Sequence, residues 1–149
     1  MGKIVKELMT EDFVAVHEID RIMDVATIIA EDRETMLACV VDVDGKLRGI
    51  VTPKEMLKAV EVCEYGSIRH SFFSRMETLH ILSAKDVGDI MDAPVSVREE
   101  DDVQKAINIM IDRGFYEVPV VNDAGVVIGV INYFHIISGS IDHCRKEEE

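Results

Sequence analysis

An internal repeat is the feature that most constrains the fold of this 149-residue chain. The segment that begins at Val5 recurs at Val87, 82 residues later, and the run that begins at Cys39 recurs at Pro119, 80 residues later. Because this offset drifts so little, two one-residue gaps align the copies. One unit of roughly 60 residues would expose too much apolar surface to be stable alone, so the repeat predicts two similar units that share a core.

Each copy carries the same order of local patterns. Apolar residues at positions i, i+3, i+4 and i+7 follow Asp20 and Asp101, which predicts amphipathic helices with these aspartates as N-caps. Two apolar runs around a glycine, Gly45 or Gly125, come next and predict a β-hairpin. Each copy is therefore predicted to contain a short helix, a short strand, the amphipathic helix, two hairpin strands and a closing helix.

The segment between the copies has no counterpart in the repeat. Phe72, Met76 and Leu79 fall at helical spacing within it and predict a linker helix packed on the pair. A core or dimer-contact role for these three is favoured, and a ligand-lining role stays open. The predicted organisation is a first repeat at 1–62, a helical linker at 63–84, a second repeat at 85–141 and an acidic tail at 142–149.

Several short motifs carry a family resemblance. In the second copy they are Ile90-Met91-Asp92, Val95-Ser96-Val97 and the run 114–121, and in the first they are Leu8-Met9-Thr10 and the run 49–52. This order resembles the CBS domain (the cystathionine-β-synthase repeat), and two copies together are similar to a Bateman module. The first copy departs from the family pattern at 33–39, which replaces its usual glycine start and Pro-Val end. The resemblance implies an α+β fold in which two β-α-β-β-α repeats pack sheet to sheet with pseudo-twofold symmetry.

The resemblance also implies a function. Bateman modules commonly bind adenosine-containing ligands in two clefts between the repeats and often form homodimers. The chain is accordingly expected to be a regulatory, non-catalytic sensor that binds AMP, ADP, ATP or S-adenosylmethionine and passes its state to a partner protein, with no cofactor required. The alternative is a docking or dimerisation module that binds no ligand.

The family's ligand signature is a Thr or Ser at the end of the last strand, with an Asp three residues later for the ribose hydroxyls. The matching pairs here are Thr52 with Glu55 and Asn132 with His135, and neither pair keeps the Asp. Read without the resemblance, Thr52, Pro53 and Glu55 form a capping box at the start of the closing helix. Asn132 is likewise a good N-cap, and the favoured reading of His135 is a surface residue on a first helical turn.

The resemblance places the adenine against the first strand and an apolar sandwich in each copy. The implied positions are Val14, Val16, Met36 and Ala38 in the first copy and Val95, Val97, Tyr116, Val118 and Pro119 in the second. Without the resemblance, these residues are typical of core strands. Cations for a phosphate are expected among Arg48, Arg69, His70, Arg75 and Lys85, although a solvated surface explains each of them equally well.

Composition narrows the classes of partner and of chemistry. The formal net charge of −13 disfavours nucleic acid and anionic membrane surfaces as partners. No nucleophile elbow, P-loop or HExxH motif points to an enzyme. The three cysteines lack metal-ligand spacing, and His143 with Cys144 is a weak candidate for a metal site, so none is expected. In the absence of an apolar signal segment or a membrane span, the expected location is the cytoplasm.

Overall fold

The computed structural model describes residues 2–32, 36–66 and 74–148. A 3-10 turn opens each copy, at Val5–Glu7 and at Val87–Asp89. The described strands are β1 (Val14–Val16), β2 (Ala38–Val41), β3 (Leu47–Val51), β4 (Val97–Arg98), β5 (Glu117–Val121) and β6 (Val127–Asn132). The described helices are α1 (Ile22–Glu31), α2 (Pro53–Tyr65), α3 (Ser74–Ser83), α4 (Val103–Arg113) and α5 (Tyr133–Glu148).

Each copy builds a three-stranded sheet with the same topology. β1 pairs parallel to β2, and β2 pairs antiparallel to β3; β4, β5 and β6 repeat this arrangement in the second copy. The two antiparallel pairs confirm the predicted hairpins. Their turns contain Gly45 at a φ of +82° and Gly125 at a φ of +84°, in the left-handed region that favours glycine.

The two sheets pack face to face. Cys39 and Ile50 of the first sheet share a buried cluster with Val121 and Val130 of the second, which confirms the predicted sheet-to-sheet core. The contacts between the hairpin turns are reciprocal. The N–H of Leu47 donates to the carbonyl of Gly125 at 3.0 Å, and the N–H of residue 127 donates to the carbonyl of Gly45 at the same distance. Paired contacts of this kind are those of a pseudo-twofold axis.

The copies exchange their opening turns, which the sequence patterns did not predict. Val5 is buried in the core of the second copy, and Val87 is buried in the core of the first. The N–H of Val5 donates to the carbonyl of Asp101, and the N–H of Val87 donates to the carbonyl of Asp20, both at 2.8 Å. As a result, the residues that follow each opening turn lie at the boundary between the copies.

The predicted N-caps of the amphipathic helices are wrong by one residue. Helices α1 and α4 follow Arg21 and Asp102, and the side chain of Asp102 accepts from the N–H of residue 104 at 2.7 Å. The carboxylates of Asp20 and Asp101 instead accept from N–H groups three residues earlier, at 2.9 Å and 2.8 Å. These aspartates hold the strand-to-helix turns, where short polar side chains often bond to nearby backbone.

The linker contains a helix, as predicted, but its packing differs from the prediction. Met76 and Leu79 on α3 are 70% and 59% exposed, whereas Ile81 packs against the first core. A core role for Met76 and Leu79 is therefore wrong, while a dimer-contact or ligand-lining role for them stays a prediction, and Phe72 lies outside the described residues. The boundaries proposed for the repeats and the linker stay predictions.

Candidate functional site

Two clefts lie where the exchanged segments meet the helix starts. The large cleft has a volume of about 900 Å³, and the small cleft has a volume of about 310 Å³. The large cleft is lined by Met36, Thr52, Pro53, Lys54, Glu55, Asp92, Ala93, Arg113, Gly114, Phe115, Tyr116 and Glu117. The small cleft is lined by Thr10, Glu11, Asp12, Phe13, Asp32, Glu117, Asn132 and His135.

Both copies contribute walls to the large cleft. Thr52 and Glu55 come from the start of α2 in the first copy, and Asp92 comes from the opening segment of the second. Tyr116, 58% exposed, adds an aromatic face, and its ring makes an edge-to-face contact with the ring of Tyr133 at a centroid distance of 5.2 Å. A wall that combines an aromatic face with polar groups is typical of small-molecule sites.

Thr52 occupies the N-cap position of α2, with extended backbone and Pro53 as the first helical residue. Its side chain makes no capping hydrogen bond, so the predicted capping box at Thr52 and Glu55 is wrong. The hydroxyl therefore does not compensate the unpaired N–H groups at the start of this helix. The N-terminus of α2 keeps the partial positive charge that such groups create.

The reciprocal cap forms at the equivalent position of the other copy. The N–H of His135 donates to Oδ1 of Asn132 at 2.9 Å, and the N–H of Asn132 donates to Nδ1 of His135 at 3.2 Å. Because Nδ1 accepts here, the proton of the neutral ring resides on Nε2. Burial lowers the pKa of His135 below its ordinary value of 6.5, which opposes the charged form that could pair with a phosphate.

Glu117, the first residue of β5, lies in the wall of both clefts and is 2% exposed. Its Oε2 accepts from the backbone N–H of Met36 at 3.0 Å, and its Oε1 accepts from Nδ2 of Asn132 at 3.4 Å. Burial raises the pKa of Glu117, and these donors partly oppose the rise because they favour the ionised form. The pseudo-symmetric position, 80 residues earlier, holds Leu37.

The two clefts differ in charge. Lys54 and Arg113 line the large cleft together with Asp92. Burial raises the pKa of Asp92, and the positive charges of Lys58, Lys54 and Arg113 partly oppose this rise. In the small cleft the described lining residues include no Lys or Arg. Its charged carboxyl side chains belong to Glu11, Asp12, Asp32 and Glu117. The large cleft therefore offers an anionic group two cations beside the carboxyl side chains of Glu55, Asp92 and Glu117, whereas the described lining of the small cleft offers it none.

The thirteen positions implied by the resemblance separate into three groups. Met36, Thr52, Glu55 and Tyr116 come together in the large cleft. Asn132 and His135 come together in the small cleft, and His135 is half-buried rather than a fully exposed surface residue. The remaining seven line neither cleft and lie in or next to the strands, as Val14, Val16, Ala38, Val95, Val97, Val118 and Pro119.

The cations expected for a phosphate are not those that line the large cleft. Nε of Arg48 pairs with Oε1 of Glu18 at 2.8 Å, and neither Arg48 nor Lys85 lines a cleft. Arg69, His70 and the side chain of Arg75 lie outside the described part of the chain. Lys54 and Arg113 were missed because they belong to different copies and line one cleft only after the two copies pack together.

Glu117 was also missed, although the sequence carries a signal for it. It is the one charged residue in a strand whose other members are apolar and buried. An acidic residue in such a strand indicates either a buried partner or a site. Asp92 left no comparable signal. It follows the opening turn of the second copy, and that turn packs into the core of the first copy.

No group of three or more His, Cys, Asp or Glu side chains within the described residues could hold a metal ion. His143 contacts Glu147 at 3.9 Å near the end of α5. Among the described helices, none combines the length and the apolar character needed to cross a bilayer.

Residues 5–62 and 87–142 both match the family model of the CBS domain. The chain belongs to the CBS domain family. The matched segments include the helix starts and the opening turns that build both clefts of this CBS pair.

Relatives of the CBS pair are similar over most of its length. It is 26% identical over 156 aligned residues to the chloroplastic CBS domain-containing protein CBSX1 of Arabidopsis thaliana, with 95% of this chain and 66% of the relative covered. A crystal structure of CBSX2 in complex with AMP matches with a TM-score of 0.74 at 21% identity, covering 95% and 98% of the two chains. The CBS domain pair of protein MJ0100, in complex with 5′-methylthioadenosine and S-adenosyl-L-methionine, matches with a TM-score of 0.70 at 23% identity, covering 91% and 98%. This chain thus spans just under two thirds of CBSX1, and the two structures establish likeness of fold.

Proposed function

We propose that this CBS pair is a regulatory module that binds an adenosine-containing ligand in its large cleft and passes the bound state to a partner protein. The observation that carries the proposal is the geometry around Thr52. A helix start without a side-chain cap faces a cleft of about 900 Å³, within the size range of small-ligand sites. An uncapped helix N-terminus is suited to a phosphate or another electron-rich group.

The large cleft is preferred to the small one for two reasons. Lys54 and Arg113 supply positive charge beside Thr52, whereas the described lining of the small cleft has none. In addition, Asn132 and His135 already bond to each other in the small cleft, and a ligand would have to break that cap. In the large cleft the side chain of Thr52 makes no cap that a ligand would have to break.

The ligand class is proposed from the relatives. CBSX2 was crystallised with AMP, and the MJ0100 pair with 5′-methylthioadenosine and S-adenosyl-L-methionine. These compounds share an adenosine group, for which Glu55 can accept from the ribose hydroxyls and Tyr116 can provide a stacking face. Because the large cleft takes walls from both copies, a ligand there would favour the arrangement of the repeats that it contacts best.

The matched pair Glu55 and His135 provides the test. Thermal-shift titrations with AMP, ADP, ATP and S-adenosylmethionine should show a saturable rise for at least one compound. At 100 times its Kd, a ligand stabilises the folded state by about 2.7 kcal/mol. Glu55→Ala should abolish the rise, and the equivalent substitution His135→Ala should retain it. A flat response to all four at millimolar concentration would refute ligand sensing, and loss only in His135→Ala would move the site to the small cleft.

A docking or dimerisation module is the second candidate, favoured by an exposed apolar surface on α4 and α5. Ile111, Phe134 and Ile137 are 69%, 61% and 56% exposed beside a groove of about 340 Å³. Apolar surface of this kind often marks a protein interface, and the proposed occupant is a second copy of this chain. Light scattering should then give a dimer mass that Ile137→Glu reduces to that of a monomer; a monomeric wild type would exclude this candidate.

The setting of the module is also part of the proposal. We propose a non-catalytic role, a cytoplasmic location and a protein partner. The regulated protein can be sought by a pull-down with this chain, as a protein whose binding depends on the ligand found in the titrations. Location can be tested by fractionating cells, which is informative because the relative CBSX1 is named as chloroplastic.

A further inference from the structure

Glu117 is a buried carboxylate that the proposed ligand contacts do not use. It is 2% exposed and lines both clefts. The pseudo-symmetric position in the first copy holds the uncharged residue Leu37. The side chain of Glu117 joins the walls of the two clefts, because one oxygen accepts from Met36 in the large cleft and the other accepts from Asn132 in the small cleft. A charge at this position acts on a ligand in either cleft.

The hydrogen bonds identify the charge state to consider. Each oxygen of Glu117 is oriented toward an N–H donor, at 3.0 Å from Met36 and 3.4 Å from Asn132. A carboxylate accepts at both oxygens, whereas a protonated carboxyl group must also donate from one of them. The geometry therefore suits the ionised form.

A buried carboxylate acts on a ligand more strongly than a surface one does. Water and salt screen the interactions of exposed charges, and they screen those of a buried charge much less. Lys54 and Arg113 lie in the lining of the large cleft and can offset this repulsion for a group near them. In the small cleft the described lining offers no such cation, and the carboxyl side chains of Glu11 and Asp12 add to the repulsion.

We propose that Glu117 is a specificity-determining residue that discriminates against anionic groups on adenosine-containing ligands. This inference rests on the proposed function and adds the electrostatic class of the ligand. The large cleft accepts a phosphate only where Lys54 and Arg113 meet it, with the uncharged nucleoside turned toward Glu117. The small cleft excludes phosphorylated ligands, so a phosphorylated ligand binds at one site per chain.

Calorimetric titrations of adenosine and AMP test the inference at pH 8, where the AMP phosphate is dianionic. The readout is the ratio of the AMP affinity to the adenosine affinity, because a purely structural role would change both affinities together. Glu117→Gln removes the charge and keeps an acceptor, and it should raise this ratio roughly 3- to 10-fold. Glu100→Gln removes the same charge from an exposed position outside both clefts and should leave the ratio unchanged.

A second variant protects the test against a folding defect. Glu117→Leu introduces the residue that is buried at the pseudo-symmetric position 37, and it should raise the same ratio. An unchanged ratio in variants that still bind adenosine overturns the inference and leaves the proposed function standing. Failure of the wild type to bind any adenosine compound overturns the proposed function, and the inference with it. AMP binding at two sites per wild-type chain also overturns the inference.

Discussion

Substitution of Gly129 by alanine tests the exchange of opening turns that builds both clefts. The opening segment of the first copy crosses β6 at this glycine. The N–H of Thr10 donates to the carbonyl of Val130, and the N–H of Val130 donates to the carbonyl of Thr10, both at 2.9 Å. A Cβ at position 129 would overlap the carbonyl oxygen of Thr10 and would lie 2.5 Å from Cε of Met9. The oxygen belongs to the backbone, so it cannot move aside as a side chain could.

The cost follows from this overlap. An ordinary contact would require the crossing to open by about 1 Å. Overpacking of this kind costs about 1–3 kcal/mol, and weakening the two hydrogen bonds adds about 1 kcal/mol for each. The total of about 3–5 kcal/mol is a large fraction of the 5–15 kcal/mol typical of a folded domain. A loss of this size lowers the Tm of a chain of this length by roughly 10 °C.

Urea unfolding and thermal melts of three alanine variants check the reasoning. Gly125→Ala has open space but a φ of +84°, so it should cost about 1 kcal/mol. Gly49→Ala should fall between the other two, because its Cβ would meet the flexible side chain of Met91 at 2.5 Å and the carbonyl of Asp92 at 2.8 Å. The reasoning is refuted if Gly129→Ala is no less stable than Gly125→Ala. That result would mean that the crossing at β6 is looser than the structure indicates.

Two further predictions concern titratable groups. Burial raises the pKa of Cys39 to about 12, while Cys63 and Cys144 are exposed, so a thiol reagent at pH 8 should modify two cysteines in the native protein and the third only after unfolding. Rapid modification of all three would contradict the buried position of Cys39. The lowered pKa of His135 means that the unfolded chain binds its proton more readily, so stability present above pH 6.5 is lost as the pH falls through that value and the folded pKa. Urea midpoints between pH 7.5 and 5.5 should therefore fall less steeply in His135→Gln than in the wild type, and parallel profiles would argue against the shift.

The two helix starts of the candidate site were predictable at the level of local structure. Thr52 and Asn132 were both expected at helix starts, and both stand directly before a helix, because N-cap preferences depend on a few neighbouring residues. The sequence did not predict which of the two helices, α2 or α5, would be capped by a side chain. The reciprocal bond forms at Asn132 and His135 rather than at Thr52 and Glu55, and the two sets of side chains have different surroundings in their clefts.

The sequence by itself determined the repeat, the two hairpins and the amphipathic helices. Each of these depends on periodicity, turn glycines and capping residues within a short window, so the pattern and the structure share the same local cause. The repeat then implied a common core, since neither copy could bury its apolar face alone.

Only the tertiary structure decided which residues face each other across the clefts. The exchange brings Val5 and Val87 into the opposite cores, and no local pattern records a pairing between segments so far apart in the sequence. The same long-range packing brings the N–H of Met36 to the carboxylate of Glu117. It also places Glu117, the acidic residue of a buried strand, in the lining of both clefts. Burial and charge environment are properties of the assembled neighbours, which is why the electrostatic difference between the clefts appeared only in the fold.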